Sequence, residues 1–467
     1  MSSTSVVRPS YAAVLRIPHA RRTFAAALLG RLAYGVAPLS VMLAVARASG
    51  SYAVAGIVIA LFSGASVFLS PARAALIDRY GPRRALVPMV AAHTCLLGLL
   101  AALVWRPGAS PFVLGAAGAL AGACTPPLGP TMRAVWGRLA PERALMQRAY
   151  SLDAVAEELL FVSGPLLVGV LVGFAPPAVG VLLGAALMVV GTAGFVSSPV
   201  VRAVPAGGRE AGPRTAGRRV LRGLGRPVIA AAGVGLALGV VDLLVVAFAE
   251  AHGHGGGSAA AWVLAALSAG SAVGGLLNGA VAWRASAGTR LAGQAAGLGL
   301  ALCGAGLAQG LGTLAVAVAV AGVFVAPLIT TAYLIADETA APEARVQAGA
   351  WVNTAVNAGS TAGAATAGVL VGWLPAAMCF ALAGAVMLLT ALAVACGAGP
   401  GGQGGRRPGR RPCRARGPAR PDAGERNERG VPDIPYPSCE RSDVSRRRRR
   451  GRPDRPGRPG PGWPCPS

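Results

Sequence analysis

Ala74-Ala75-Leu76-Ile77-Asp78-Arg79-Tyr80-Gly81-Pro82-Arg83-Arg84 joins two long apolar runs, 53–76 and 85–105. Each run approaches or exceeds the roughly 20 residues of helix that a bilayer core needs. Gly81 permits a tight turn, and Pro82 stops the helix that precedes it. Arg83 and Arg84 suit the headgroup layer of an anionic leaflet. The stretch therefore reads as a short hairpin loop between two membrane-spanning helices.

The rest of the chain repeats this pattern. Of its 467 residues, 54% are hydrophobic and 13% charged, where a soluble domain carries about 25% charged residues. Apolar stretches run near 23–46, 53–76, 85–105, 111–134, 150–173, 177–198, 227–249, 258–282, 289–309, 311–335, 346–372 and 374–396. These lengths predict an all-α membrane protein of about twelve transmembrane helices. The 66 glycines suit helices packed by close van der Waals contact in lipid. Cys95, Cys124, Cys303, Cys379 and Cys396 fall within apolar runs at no metal-ligand spacing. No metal, cofactor or enzymatic constellation is expected.

Arginine placement sets the expected orientation. Arg79, Arg83 and Arg84 share one side with Arg16, Arg21, Arg22, Arg138, Arg143, Arg148, Arg284, Arg290 and Arg345, while Arg47 and Arg106 fall on the other. The positive-inside rule makes the first side cytoplasmic and both termini with it. The expected organisation is a cytoplasmic segment 1–22, a six-helix bundle 23–198, a basic linker 199–226, a second bundle 227–397 and a disordered tail 398–467. That tail holds 18 Arg against 7 acidic residues among Gly and Pro, a composition unable to bury a core. It is read as solvated, with no nucleic acid partner expected.

An ungapped offset of 200 residues aligns the two bundles. Asp78 faces Asn278, Pro127-Leu128 faces Pro327-Leu328, and Asp153 and Glu157 face Asn353 and Asn357. Six helices intervene, so the two pseudo-repeats are parallel.

These features resemble the major facilitator superfamily of secondary transporters, in particular its actinobacterial efflux-type members. The family's Gly-x-x-x-Asp-Arg-x-Gly-Arg-Arg pattern is matched at Asp78, Arg79 and Gly81, with Ala74 in place of the first glycine and the arginine pair, Arg83 and Arg84, set one place on by Pro82. The resemblance implies a gating motif in which Asp78 meets an arginine of helix 4, here Arg133, and the start of helix 11. Gly164-Pro165 in helix 5 is similar to the Gly-Pro motif of the drug:proton antiporter branch and implies a hinge. The Arg-x-x-Gln-Gly pattern of that branch is absent from helix 4.

Charges inside a bilayer cost several kcal/mol and gather at working sites. Arg31 lies in helix 1, and Asp153, Glu157 and Glu158 open helix 5, with Asp242 inside helix 7. They are the candidates for binding a coupling proton, with Arg31 or Arg133 as counter-charge. Asn353, Thr354 and Asn357 are the candidate substrate contacts. The expected function is proton-coupled export of a small hydrophobic or amphiphilic compound by a monomer in the plasma membrane. An importer of the same fold, or a non-transporting sensor using its basic tail, is the alternative.

Overall fold

The computed structural model describes residues 10–105, 108–140, 142–204, 213–251 and 257–396. Residues 1–9, residues 205–212 of the expected linker and the expected tail 398–467 lie outside them. The described residues form helices and no strand.

A short helix α1 (Tyr11–Arg16) leads into α2 (Ala20–Ser49), which ends at Gly50 with φ +66°. α3 (Tyr52–Phe68) and α4 (Ser70–Tyr80) form one rod bent by 42° at Leu69. Pro71 in the first turn of α4 lacks the N–H that a straight continuation would use. Gly81, at φ +82°, makes the expected turn and donates its N–H to Ile77 O at 2.8 Å. α5 (Pro82–Trp105) follows. α6 (Pro111–Ala123) and α7 (Leu128–Leu139) are then parted by Cys124-Thr125-Pro126-Pro127, where two prolines cannot sustain the ladder. α8 (Arg143–Val172), α9 (Pro177–Ser197) and the short α10 (Pro199–Arg202) complete the first half.

The second half comprises α11 (Pro213–Ala251), α12 (Gly257–Ala280), α13 (Ala287–Ala305), α14 (Leu311–Thr339), α15 (Arg345–Leu370) and α16 (Ala376–Cys396). The 200-residue offset survives in the helix ends: Tyr80 matches Ala280, Pro111 matches Leu311, and Leu139 matches Thr339. The halves differ in continuity. α12 and α14 run unbroken where their counterparts break at Leu69 and at Cys124–Pro127.

Nine spans among the described residues are long and apolar enough to cross a membrane, with α6 and α7 together as one, or ten with the bent α3–α4 rod. The other two expected spans, α13 and α15, are of spanning length but more polar. α13 carries Arg290 and Gln294; α15 carries Arg345, Gln347, Asn353, Thr354 and Asn357. Large apolar side chains such as Phe112, Leu159 and Val170 are exposed on the outer faces, as lipid contact requires. Trp105, Trp262 and Trp373 are exposed near helix ends opposite the Asp78 turn, where aromatic rings favour the membrane interface.

Small residues let the rods touch. A Cβ on Gly164 of α8 would lie 2.6 Å from the Gly35 backbone of α2. α8 continues through Pro165 at this crossing.

Candidate functional site

The burial of charge in the first half is organised as a closed ring. Arg31 on α2 and Arg133 on α7 face Asp153 and Glu157, one helical turn apart on α8. Arg31 reaches Asp153 at 2.7 Å and Glu157 at 2.8 Å; Arg133 reaches Asp153 at 2.9 Å and also pairs with Glu157. Each carboxylate thus bridges both guanidiniums, and two positive charges cancel two negative ones. Arg31, Arg133 and Asp153 are sealed from solvent, while the Glu157 side chain keeps 25% exposure. Arg133 also stacks on the Tyr333 ring of α14 at 3.8 Å, which ties the ring to the second half.

Glu157 owes its exposure to a cavity of about 250 Å³. Tyr34, Arg73, His93 and Thr125 line it from the first half, and Asn353 and Asn357 from α15. Asn353 accepts from Tyr333 Oη at 3.4 Å, and Asn357 donates to Asn353 O at 2.8 Å. Thr354 turns away and donates to Val67 O of α3 at 3.0 Å. Of the three candidate substrate contacts, two therefore face the cavity and one bonds the halves together.

Glu158 points elsewhere. It accepts from Ser271 Oγ of α12 at 2.9 Å, so its hydrogen bond crosses between halves. Asp242 sits on α11 and is exposed. Neither belongs to the charge ring.

Asp78 caps the start of α15, accepting from Val346 N at 3.2 Å and Gln347 N at 2.8 Å. A carboxylate at this positive helix end is electrostatically favoured. Arg133, expected beside Asp78, is instead committed to the charge ring, because α7 directs it toward α8. Arg79, Arg83 and Arg84 are exposed around the turn.

A counterpart occupies the pseudo-symmetric position. Asn278 O accepts from Gln147 Nε2, and Arg290 of α13 donates to Gln147 Oε1 at 3.0 Å and to Asn278 Oδ1 at 3.1 Å. Gln147 and Gln347 are 200 apart, as are Asp78 and Asn278. Nearby, Arg143 grips Glu338 through two bonds of 2.8 and 2.9 Å, and Tyr11 Oη donates to Leu276 O at 2.5 Å. Hydrogen bonds between the halves thus gather at the end that carries the Asp78 turn.

Sequence reasoning passed over Arg73. It lies in the span 53–76, is 6% exposed, and donates to Gly122 O at 3.1 Å, Ala123 O at 2.7 Å and Ser66 O. The signal was available: an arginine placed inside an apolar run, three residues before Leu76.

No curated protein matches the chain. Solved structures share its fold at low identity. The human organic anion transporter MFSD10 (TETRAN) superposes with a TM-score of 0.63 at 15% identity, over 83% of this chain and 100% of that one. A bacterial homologue of the iron transporter ferroportin, in an outward-facing state with soaked iron, gives 0.60 at 14% identity, over 80% and 96%. A variant of the E. coli fucose:proton symporter FucP gives 0.55 at 15% identity, over 79% and 98%. The Major Facilitator Superfamily sequence profile matches residues 23–312. With this match over more than half its length, the chain belongs to the Major Facilitator Superfamily.

Proposed function

We propose that the chain is a proton-coupled exporter of a small amphiphilic solute, working by alternating access as a monomer in the plasma membrane with both termini cytoplasmic. Family and fold make it a multi-pass membrane protein and support a secondary transporter; the coupling, direction and cargo are our reading. One observation carries it. The cavity is lined by residues of both halves, and the hydrogen bonds that close one end of the bundle also run from half to half. Rocking of the halves would break those bonds and turn the cavity to the other side.

Glu158 is the coupling residue in this reading. Glu157 is gripped by two arginines, so neutralising it would strand positive charge. Glu158 has a hydroxyl as its hydrogen-bond partner, across the interface that must open. A proton can be taken up there without stranding a buried arginine. The Asp78 cap on α15 and the Asn278–Gln147–Arg290 cluster act as the gate, with Gly164-Pro165 as the place where α8 pivots on α2. Asn353 and Asn357 supply neutral contacts to the solute.

The test is made in proteoliposomes loaded with a labelled compound panel. Glu158→Gln should abolish stimulation by an imposed pH gradient while leaving solute counterflow, which needs no net proton movement, within about threefold of wild type. Undiminished gradient stimulation in Glu158→Gln would defeat the assignment.

A further inference from the structure

Arg73 is the one cavity-lining charge that the ring does not explain. The two guanidiniums and two carboxylates of the ring cancel, so the cavity keeps the single positive charge of Arg73. Its hydrogen bonds go to backbone carbonyls, and its Nε is buried without a partner. At the corresponding place in the second half stands Val273, 52% exposed. The charge is therefore peculiar to the half whose helices are broken.

The breaks and the charge belong together. Ser66 O lies in the last turn of α3, and Gly122 O and Ala123 O in the last turn of α6. Arg73 covers these carbonyls, which are the negative ends of two half-helices. What remains turned to the cavity are the beginnings of the other two half-helices. Ser70 opens α4, and Gly129 and Pro130 lie in the first turn of α7; all three line the cavity. Pro71 and Pro130 carry no N–H, and the N–H groups of Arg73, Leu128 and Thr131 are already bonded, so these turns draw an anion through their positive dipole ends. Discontinuous membrane helices use the same device at transport sites.

We propose that the cavity takes its solute by an anionic group, a carboxylate, sulfonate or phosphate, held by Arg73 and the opening turns of α4 and α7. The apolar part of the solute rests against Ala33, Ala37, Phe62 and Met188, which also line the cavity. The carbonyl cage around Arg73 lowers the cost of holding a cation there. Dipoles carry no net charge, so the site still lacks a counter-ion that a bound anion supplies. This inference rests on reading the cavity as the solute path.

The experiment uses the full chain in nanodiscs of neutral lipid, with thermal unfolding followed by tryptophan fluorescence at constant ionic strength. The probes are phenylacetate, benzenesulfonate and phenyl phosphate, with neutral phenylacetamide as the matched control. A ligand that binds the folded state raises the midpoint, more so the tighter it binds. At least one anion should bind wild type roughly tenfold to a hundredfold more tightly than the amide, the range of one charged hydrogen bond. Arg73→Gln should erase that difference, and Arg73→Lys should keep part of it. Should Arg73→Gln fail to fold, Ser70→Asp places a carboxylate one turn before Arg73 and should also abolish the anion preference. Equal binding of anion and amide, an anion preference that survives in both variants, or no stabilisation by any probe would each overturn the inference. The transport reading stands apart from these outcomes. Flux of neutral solutes with no anion preference would sink the anion site alone, whereas anion binding without flux of any compound would sink transport alone.

Discussion

Asp153→Asn is expected to be among the most damaging single changes in the first half. Asp153 is wholly buried and makes two ion pairs, at 2.7 Å to Arg31 and 2.9 Å to Arg133. The amide leaves two buried guanidiniums sharing Glu157, so a neutral ring acquires one uncompensated charge. Breaking a buried pair by removing one partner costs about 3–5 kcal/mol, or roughly two to four decades in the unfolding constant. Arg31→Gln alone should cost a similar amount, leaving two carboxylates against Arg133. The double variant restores neutrality and should lie about 1–3 kcal/mol above the sum of the singles. Reversible unfolding in mixed micelles with increasing SDS, followed by circular dichroism, measures all four proteins. The exposed Arg143–Glu338 pair is the internal control, with side chains 68% and 36% exposed. Removing either of its members should cost at most about 1 kcal/mol. If the Asp153 and Arg31 effects add to within about 0.5 kcal/mol, the four charges do not act as a coupled ring.

Other expectations follow from single contacts. Asp78→Asn keeps an acceptor but loses the charge at the start of α15; a cysteine placed at the buried Ala348 should then react with a water-soluble maleimide roughly tenfold faster. Unchanged labelling would remove Asp78 from the gate. Asn278→Asp should do the reverse, giving Arg290 a charged partner worth about 1.5–3 kcal/mol and slowing turnover; Asn278 Nδ2 has no partner to forfeit. Turnover at or above wild type would mean that this cluster does not limit opening. Gly164→Ala forces a methyl to 2.6 Å from the Gly35 backbone and should cost about 1–3 kcal/mol in the same SDS titration; a neutral result would mean that α2 and α8 can separate freely.

The architecture was legible because its signals are local. Length and apolarity mark a membrane helix residue by residue, and the 200-residue offset recurs in helix ends as well as in side chains. The turn at Gly81 was readable for the same reason, since a positive φ favours glycine. Partner choice was not local. Whether Arg133 meets Asp78 or Asp153 depends on how α7 is rotated against α8, and no periodicity within α7 encodes that rotation. The ring, the Gln147–Asn278–Arg290 cluster and the Tyr11 contact all join residues far apart in sequence. Arg73 is a different case. Pro71 and Arg73 both stood inside an apolar run, and together they marked a bent helix with a buried charge.

The asymmetry between the halves gives the amide substitutions a physical sense. Asp78 and Asn278 occupy matching places, yet one is a carboxylate on a helix N-terminus and the other an amide beside an arginine. A gate made of two equally charged clusters would be costly to open, because both would have to be rehydrated together. With one charged and one neutral acceptor, less charge must be rehydrated for the halves to part. The same division runs through the cavity, where Glu157 faces it from the first half and Asn353 and Asn357 from the second. Around the cavity the first half holds its charges in a closed ring and in Arg73, and that part of its electrostatics stays fixed while the Asp78 cap opens and Glu158 takes up its proton. The second half presents groups that can exchange hydrogen bonds with water at little cost. On this reading the first half sets what is bound, and the second lets it go.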